Sequence, residues 1–262
     1  MAYIIVIQRI MLEKIKNITE KKSFHLIVIT IIMVILFFIL GVTILDYNEN
    51  GESNMPFNIS KISIISTSEG IDKTSEGNKW AFDINQNNDI FIYIKKNDGY
   101  GKTETIKSVV LDNFQVSKQS EKGEMKIFKP DPTSQVQIFT NKEENVQNSL
   151  EYSAGTESNF KNLQISNQGD KLAFRYSNSN VASYESNEEE EINHSELLKK
   201  AGVTLEDLKG TLNFDITINL DSGKIFKATV KLDLPVGDII ENASQSQEIT
   251  NFEDVVFKRI KN

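Results

Sequence analysis

The sequence predicts a mainly β protein: an N-terminal transmembrane helix followed by an antiparallel β-sandwich-like domain with a short helical insert. Three observations predict it. Leu26 to Leu45 reads LIVITIIMVILFFILGVTIL, without a charge. From Phe57 onward apolar residues recur at alternate positions, the period of a strand with one buried face. Only the stretch from Ser195 to Lys209 breaks that alternation with helix start and stop signals.

The apolar run comes first. Twenty helical residues rising 1.5 Å each cover about 30 Å, the thickness of a bilayer's hydrocarbon core. A cleaved signal peptide would have a shorter apolar region and a small-x-small site after it. Asp46-Tyr47-Asn48-Glu49-Asn50 offers none, so an uncleaved signal-anchor is expected. Arg9, Lys14, Lys16, Lys21 and Lys22 precede the run, against Glu13 and Glu20, whereas Asp46, Glu49 and Glu52 follow it. Basic flanks stay on the cytoplasmic side. The expected placement is therefore single-pass in the cell membrane, N-terminus cytoplasmic and C-terminal domain extracytoplasmic.

This divides the chain into a basic cytoplasmic tail (1–25), the transmembrane helix (26–45), a polar tether (46–56) and a β domain (57–262). Lys129-Pro130-Asp131-Pro132 is the candidate seam within that domain. Met1 to Ile10 is apolar yet too short to span. It reads either as an interfacial segment or as preceding the true start at Met11.

Within the β domain, the apolar phase of Phe57–Ser66 shifts between Ile59 and Ile62, which predicts a bulge near Ser60-Lys61. Trp80, Phe82 and Ile84 predict one strand and Ile90, Ile92 and Ile94 a second, with Asn87-Asn88 as the turn between them. Further strands are predicted at Ile106–Val116, Met125–Lys129, Val136–Thr140 and Phe252–Ile260. Leu163–Ser166 and Leu172–Tyr176 predict a hairpin around Gln168-Gly169-Asp170. Leu212 to Leu220 and Phe226 to Leu234 predict another around Asp221-Ser222-Gly223. In the insert, Ser195 or Asn193 caps a short helix that stops at Gly202, and Thr204 caps a second turn with Asp207 at its third position.

Chemistry is constrained by what the chain lacks. With no cysteine in 262 residues, disulfides, thiolate metal sites and cysteine nucleophiles are excluded. Only His25 and His194 are present; His25 reads as an interfacial residue at the edge of the apolar run and His194 as a solvated residue before the short helix, so a Ser-His-Asp site is not expected. The net charge is −8; the segment before the apolar run carries +3, which leaves −11 for the rest. That balance repels phosphate backbones, so no nucleic-acid partner is expected.

The sharpest local pattern is Asp83, Asn85, Asn87 and Asp89, oxygen-bearing side chains at every second position. Calcium takes several oxygens at such spacing, which makes these four the candidate metal ligands. They resemble the start of an EF-hand-type loop but have Asn88 where that loop has Gly and Ile94 where it has Glu. Alternation on the solvent face of a strand produces the same spacing. Glu188 to Glu191 reads as a solvated acidic loop.

The stretches MPFNISKISIISTSEG, WAFDINQNNDIFIYIKKN and DVVFKRIKN resemble uncharacterised single-pass membrane-anchored proteins of low-GC Gram-positive bacteria. The resemblance implies a fold type and a location, and no activity or site.

The resulting expectation is a non-enzymatic, membrane-anchored extracytoplasmic binding or assembly domain. Its partners would be the lipid bilayer and an envelope protein, with Tyr100, Tyr152 and Tyr184 as candidate contacts. The alternative is a module for cell-wall glycan or another small ligand, with calcium assisting. A hydrolase using two carboxylates is the enzymatic alternative. No cofactor besides calcium is implied.

Overall fold

A computed structural model describes residues 10, 11, 13, 14, 22–48, 55–73, 79–118, 120–140, 142–144, 148–187 and 191–260. The readings on Met1–Ile10 as a segment, on the body of the tether and on Glu188–Glu190 lie outside these residues. The chain separates into two compact units, Met1–Glu49 and Asn50–Asn262.

In the first unit, α1 (Lys22–Asn48) is a helix of 27 residues. Its side chains are described from His25 to Gly41, and every one from His25 to Leu40 is exposed. Phe37 and Phe38 are 69% and 72% exposed. Taking the described residues alone, no helix is long and apolar enough to cross a membrane.

The second unit is built on two sheets. Among the described residues the first runs β10-β1-β2-β7-β4 and the second β11-β9-β8-β3-β5-β6. The first-sheet strands are β1 (Phe57–Lys73), β2 (Ala81–Lys96), β4 (Glu124–Phe128), β7 (Lys171–Glu185) and β10 (Ser244–Ile249). The second sheet has β3 (Ile106–Lys118), β5 (Ser149–Gly155), β6 (Gln164–Ser166), β8 (Gly210–Leu220), β9 (Ile225–Leu234) and β11 (Lys258–Ile260). All pairings are antiparallel except β5 with β6.

One core draws on both sheets. Ile62, Ile64, Ile90, Ile92 and Phe174 come from the first, and Val109, Leu111, Phe214 and Ile216 from the second. Phe174 meets Phe114 and Phe214 at ring-centroid distances of 5.1 and 5.2 Å, and those two stack at 5.7 Å. Such pairs contribute about 0.5–1.5 kcal/mol beyond the area they bury. This layered arrangement is consistent with a β-sandwich.

A second cluster covers the far end of β2 and β7. Phe82, Ile84 and Val181 pack there with Leu197 and Leu198 of α2 (Leu197–Lys200), Leu208 of α3 (Leu205–Leu208) and Ile239 of α4 (Ile239–Asn242). Asn193 caps the turn before α2, and Gly202 follows α2 at φ +68°. Thr204 and Asp207 form a capping box on α3. The helical insert and the β8–β9 hairpin therefore stand as read from the sequence, as does the bulge between Ile59 and Lys61.

Four expectations are corrected. Asn87-Asn88 is no turn: β2 runs unbroken through both, because their side chains find partners within the sheet. Leu163–Ser166 and Leu172–Tyr176 do not pair with each other. Gly169, at φ +92°, turns the chain from the second sheet into the first, and a Cβ there would lie 2.7 Å from the Ile94 carbonyl oxygen. Val136–Thr140 is loop, and only Lys258–Ile260 of the last predicted strand is extended and paired.

Candidate functional site: a charged cleft on the first sheet

Three neighbouring strands place charged side chains in one row. Glu69 comes from β1, Asn87 and Asp89 from β2, and Arg175 from β7. Asp89 and Arg175 are direct cross-strand partners, so their side chains share a face. Arg175 donates from Nε to Asp89 Oδ1 at 2.5 Å and from Nη2 to Oδ2 at 3.1 Å. Its Nη1 lies 3.7 Å from Glu69 Oε2, which also accepts from Asn87 Nδ2 at 2.7 Å. Two carboxylates against one guanidinium leave the row with one excess negative charge.

The loop from Lys129 to Thr140 rises beside this row. Its organiser is Asp131, only 3% exposed. Oδ1 accepts from the Thr133 and Ser134 amides at 2.8 and 3.1 Å and from the Thr133 hydroxyl at 2.7 Å, and Oδ2 accepts from the Thr140 hydroxyl at 2.7 Å. These bonds, led by those from the Thr133 and Thr140 hydroxyls, hold the Asp131 carboxyl well below the usual carboxylate range. Lys161 ties down the same loop by donating to the Ser134 and Gln137 carbonyls at 2.7 and 3.3 Å.

Two residues of the loop matter for the cleft. Phe139 is buried and sets its ring 5.1 Å from the Arg175 guanidinium. Val136, at the tip, is 94% exposed. Between loop and sheet lies a cleft of about 420 Å³ lined by Thr67, Glu69, Asn87, Asp89, Gln137 and Arg175, among others.

The four sequence-predicted metal ligands are thereby separated. Asp83 sits near the start of β2, accepting from Lys73 at 3.0 Å and Ser183 at 2.6 Å. Asn85 Oδ1 accepts from the Asn180 amide at 2.9 Å and so closes a bulge in β7, where Asn180 has φ 55°. Only Asn87 and Asp89 reach the cleft. Asp83 and Asp89 are six residues apart on one strand, about 20 Å at 3.3 Å per residue, too far for one ion to touch both. Among the described residues no three His, Cys, Asp or Glu side chains converge as a metal site. Glu69 and Arg175 were not singled out from sequence, since nothing near them in the chain marks the register that joins β1, β2 and β7.

Beneath the row, β1, β2 and β7 bury a second set of polar groups on their inner face. Ser66, Gln86, Asn88 and Asn178 are fully buried. The Val236 amide donates to Ser66 Oγ at 2.9 Å, and Ser66 Oγ and Gln86 Nε2 both donate to Asn88 Oδ1, at 2.7 and 2.9 Å. This amide cluster separates the two apolar clusters along β2 and fixes the strand's register.

A carboxylate pair exists on the second sheet. Asp112 and Asp215 face each other across β3 and β8, with Lys227 Nζ at 3.7 and 3.0 Å. Burial pushes Asp215 up, but hydrogen bonds from Thr229, Lys227 and Asn113 outweigh it and hold the carboxyl below its usual range. A general acid needs the opposite shift. The candidate contact Tyr152 is also accounted for. It is buried, its hydroxyl hydrogen-bonded to the Ala173 carbonyl, so it belongs to the core. No known protein family, curated protein or solved structure matches this chain.

Proposed function

We propose that this chain is a membrane-anchored binding protein. In this reading α1 crosses the cell membrane once, with the N-terminus in the cytoplasm. The β unit, a β-sandwich, lies outside as a non-enzymatic binding or assembly domain, and an envelope protein occupies the Glu69–Asp89–Arg175 cleft. The observation that carries the anchor is the exposure of every side chain from His25 to Leu40 on a helix of 27 residues. A helix apolar on all faces and shed by water needs a lipid or protein surround. The sequence supports the same reading, since Leu26–Leu45 is an uncharged apolar run of the length that a bilayer's hydrocarbon core takes.

The exposed Val136 tip beside a mostly buried ion pair supports binding through the cleft. Arginine is enriched among the residues that carry binding energy at recognition surfaces, above all where it is desolvated. The test is photo-crosslinking from position 136 in intact cells. Capture of one envelope protein, lost when Arg175 becomes Ala, supports the reading. Retention of the chain on purified cell wall, with no protein captured, replaces it with the glycan-binding alternative; adding and removing calcium shows whether that retention uses the ion.

A further inference from the structure

The cleft between the Lys129–Thr140 loop and the first sheet has acceptors to which nothing donates. Glu69 Oε2 accepts from Asn87 Nδ2 at 2.7 Å, with Arg175 Nη1 3.7 Å away. Its Oε1 accepts no hydrogen bond among the described residues, and the side chain is 37% exposed. Asn87 also lines the cleft and is only 2% exposed. Its Nδ2 is taken by Glu69, and its Oδ1 has no donor among the described residues. That oxygen is not sealed in the interior, so it opens on the cleft. Thr67 is the direct cross-strand partner of Asn87, and Glu69 follows two residues on, so the three side chains leave the same face of the sheet. The Thr67 hydroxyl likewise makes no hydrogen bond among the described residues.

Charge selects the kind of group that can meet these oxygens. Glu69 and Asp89 face one guanidinium, which leaves one negative charge unbalanced. Lys161, which ties down the loop, is matched by Asp131 of that loop. The chain beyond the apolar run carries −11, so its wider field also favours a cation.

The layout of the acceptors then separates the two cations a protein can offer. A guanidinium seeks two parallel acceptors on one carboxylate. Neither carboxylate presents them: both Asp89 oxygens are held by Arg175, and Glu69 has one oxygen left. An ammonium has three donors and takes single acceptors from different residues. Glu69 Oε1, Asn87 Oδ1 and Thr67 Oγ1 are such a set. Ile138 and Phe139 line the same cleft and give it an apolar wall, which suits the aliphatic stem of a lysine.

From these observations we infer that the cleft takes a lysine side chain of the protein partner, its ammonium donating to Glu69, Asn87 and Thr67 and its stem lying along Ile138 and Phe139. The inference rests on the reading that an envelope protein occupies this cleft.

A zero-length carbodiimide joins a carboxylate to an amine that touches it and does not couple a guanidinium. Intact cells carrying the full chain with a photoreactive residue at position 136 are treated either with light or with the carbodiimide, and the joined peptides are sequenced by mass spectrometry. The expected result is an amide between Glu69 and a lysine of the same protein that light captures from position 136. Glu69→Gln keeps an acceptor for Asn87 Nδ2 and removes the charge. It is expected to lower capture by light about tenfold or more, as for the loss of one charge-assisted bond. Capture that Glu69→Gln leaves unchanged, with no amide at Glu69, overturns the inference and spares the binding reading. Capture that falls in Glu69→Gln, again with no amide at Glu69, overturns the lysine in favour of an arginine. An amide from Glu69 to a lysine of this chain also overturns it, since the carboxylate then has an internal partner. No capture from position 136 and no amide at Glu69 overturn both.

Discussion

Arg175 on β7 holds Asp89 on β2 by two parallel hydrogen bonds, and the same guanidinium lies against the ring of Phe139. The pair is mostly buried, with side-chain exposures of 15% and 17%. A lysine keeps the charge but not the fork. Arg175→Lys is therefore expected to lower unfolding stability by about 1–3 kcal/mol, the range for a lost charge-assisted bond. Urea denaturation of Arg175→Lys, Asp89→Asn and the double variant checks this. Additive losses would show that the two side chains do not depend on each other.

Phe174 is the residue through which the first sheet grips the second. Its ring contacts Phe114 and Phe214 on the opposite sheet, and it is fully buried. Phe174→Ala is expected to cost about 3–5 kcal/mol, as for other buried aromatics. Trp80, the single tryptophan, lies outside this cluster and is 57% exposed, so circular dichroism is the suitable probe of the transition.

The buried amide cluster makes a different demand. Asn88 Oδ1 accepts from both Ser66 and Gln86. Asn88→Leu keeps the branched shape but strands two buried donors, with an expected loss of about 2–4 kcal/mol. Ser66→Ala is expected to cost less than Asn88→Leu, because it strands the Val236 amide and leaves Asn88 still bonded to Gln86. The order of the two midpoints in urea is the readout.

Acid should act on the helical insert. Asp207 is lowered to about 2 by the hydrogen bond from Lys122 and those from the Thr204 amide and hydroxyl. An unfolded aspartate titrates near 3.9. Because the folded value is the lower one, this carboxylate contributes stability above about pH 4, and the contribution fades as pH falls toward 2. Asp131, also depressed, adds to the same limb. Melting temperatures of wild type and Asp207→Asn, measured from pH 6 to 2, should converge as pH falls. A gap that stays constant would contradict the assignment.

The sequence was readable wherever one face of an element is apolar and the other polar. The β8–β9 hairpin and the bulge at Ser60 follow that rule, and the Thr204–Asp207 box was readable from its capping residues. It failed at Gln86–Asn88, where polar side chains point into the protein and satisfy one another, so their pattern mimics a solvated turn. It failed again at Val136–Thr140, whose apolar residues serve a loop organised by Asp131. Gly169 was rightly a turn, but a local signal cannot say which sheet each arm joins. The cleft was half visible: Asn87 and Asp89 stood out on one strand, while Glu69 and Arg175 arrive through pairing between distant segments.

The proposed placement of the β unit outside the membrane is tested most directly by labelling intact cells with a membrane-impermeant thiol reagent. Val136→Cys, on the exposed loop tip, and Lys16→Cys, before α1, are compared in whole and in broken cells. The expected result is that position 136 reacts in whole cells and position 16 only after lysis. Reaction of position 16 but not of position 136 in whole cells, with both reacting after lysis, would contradict it.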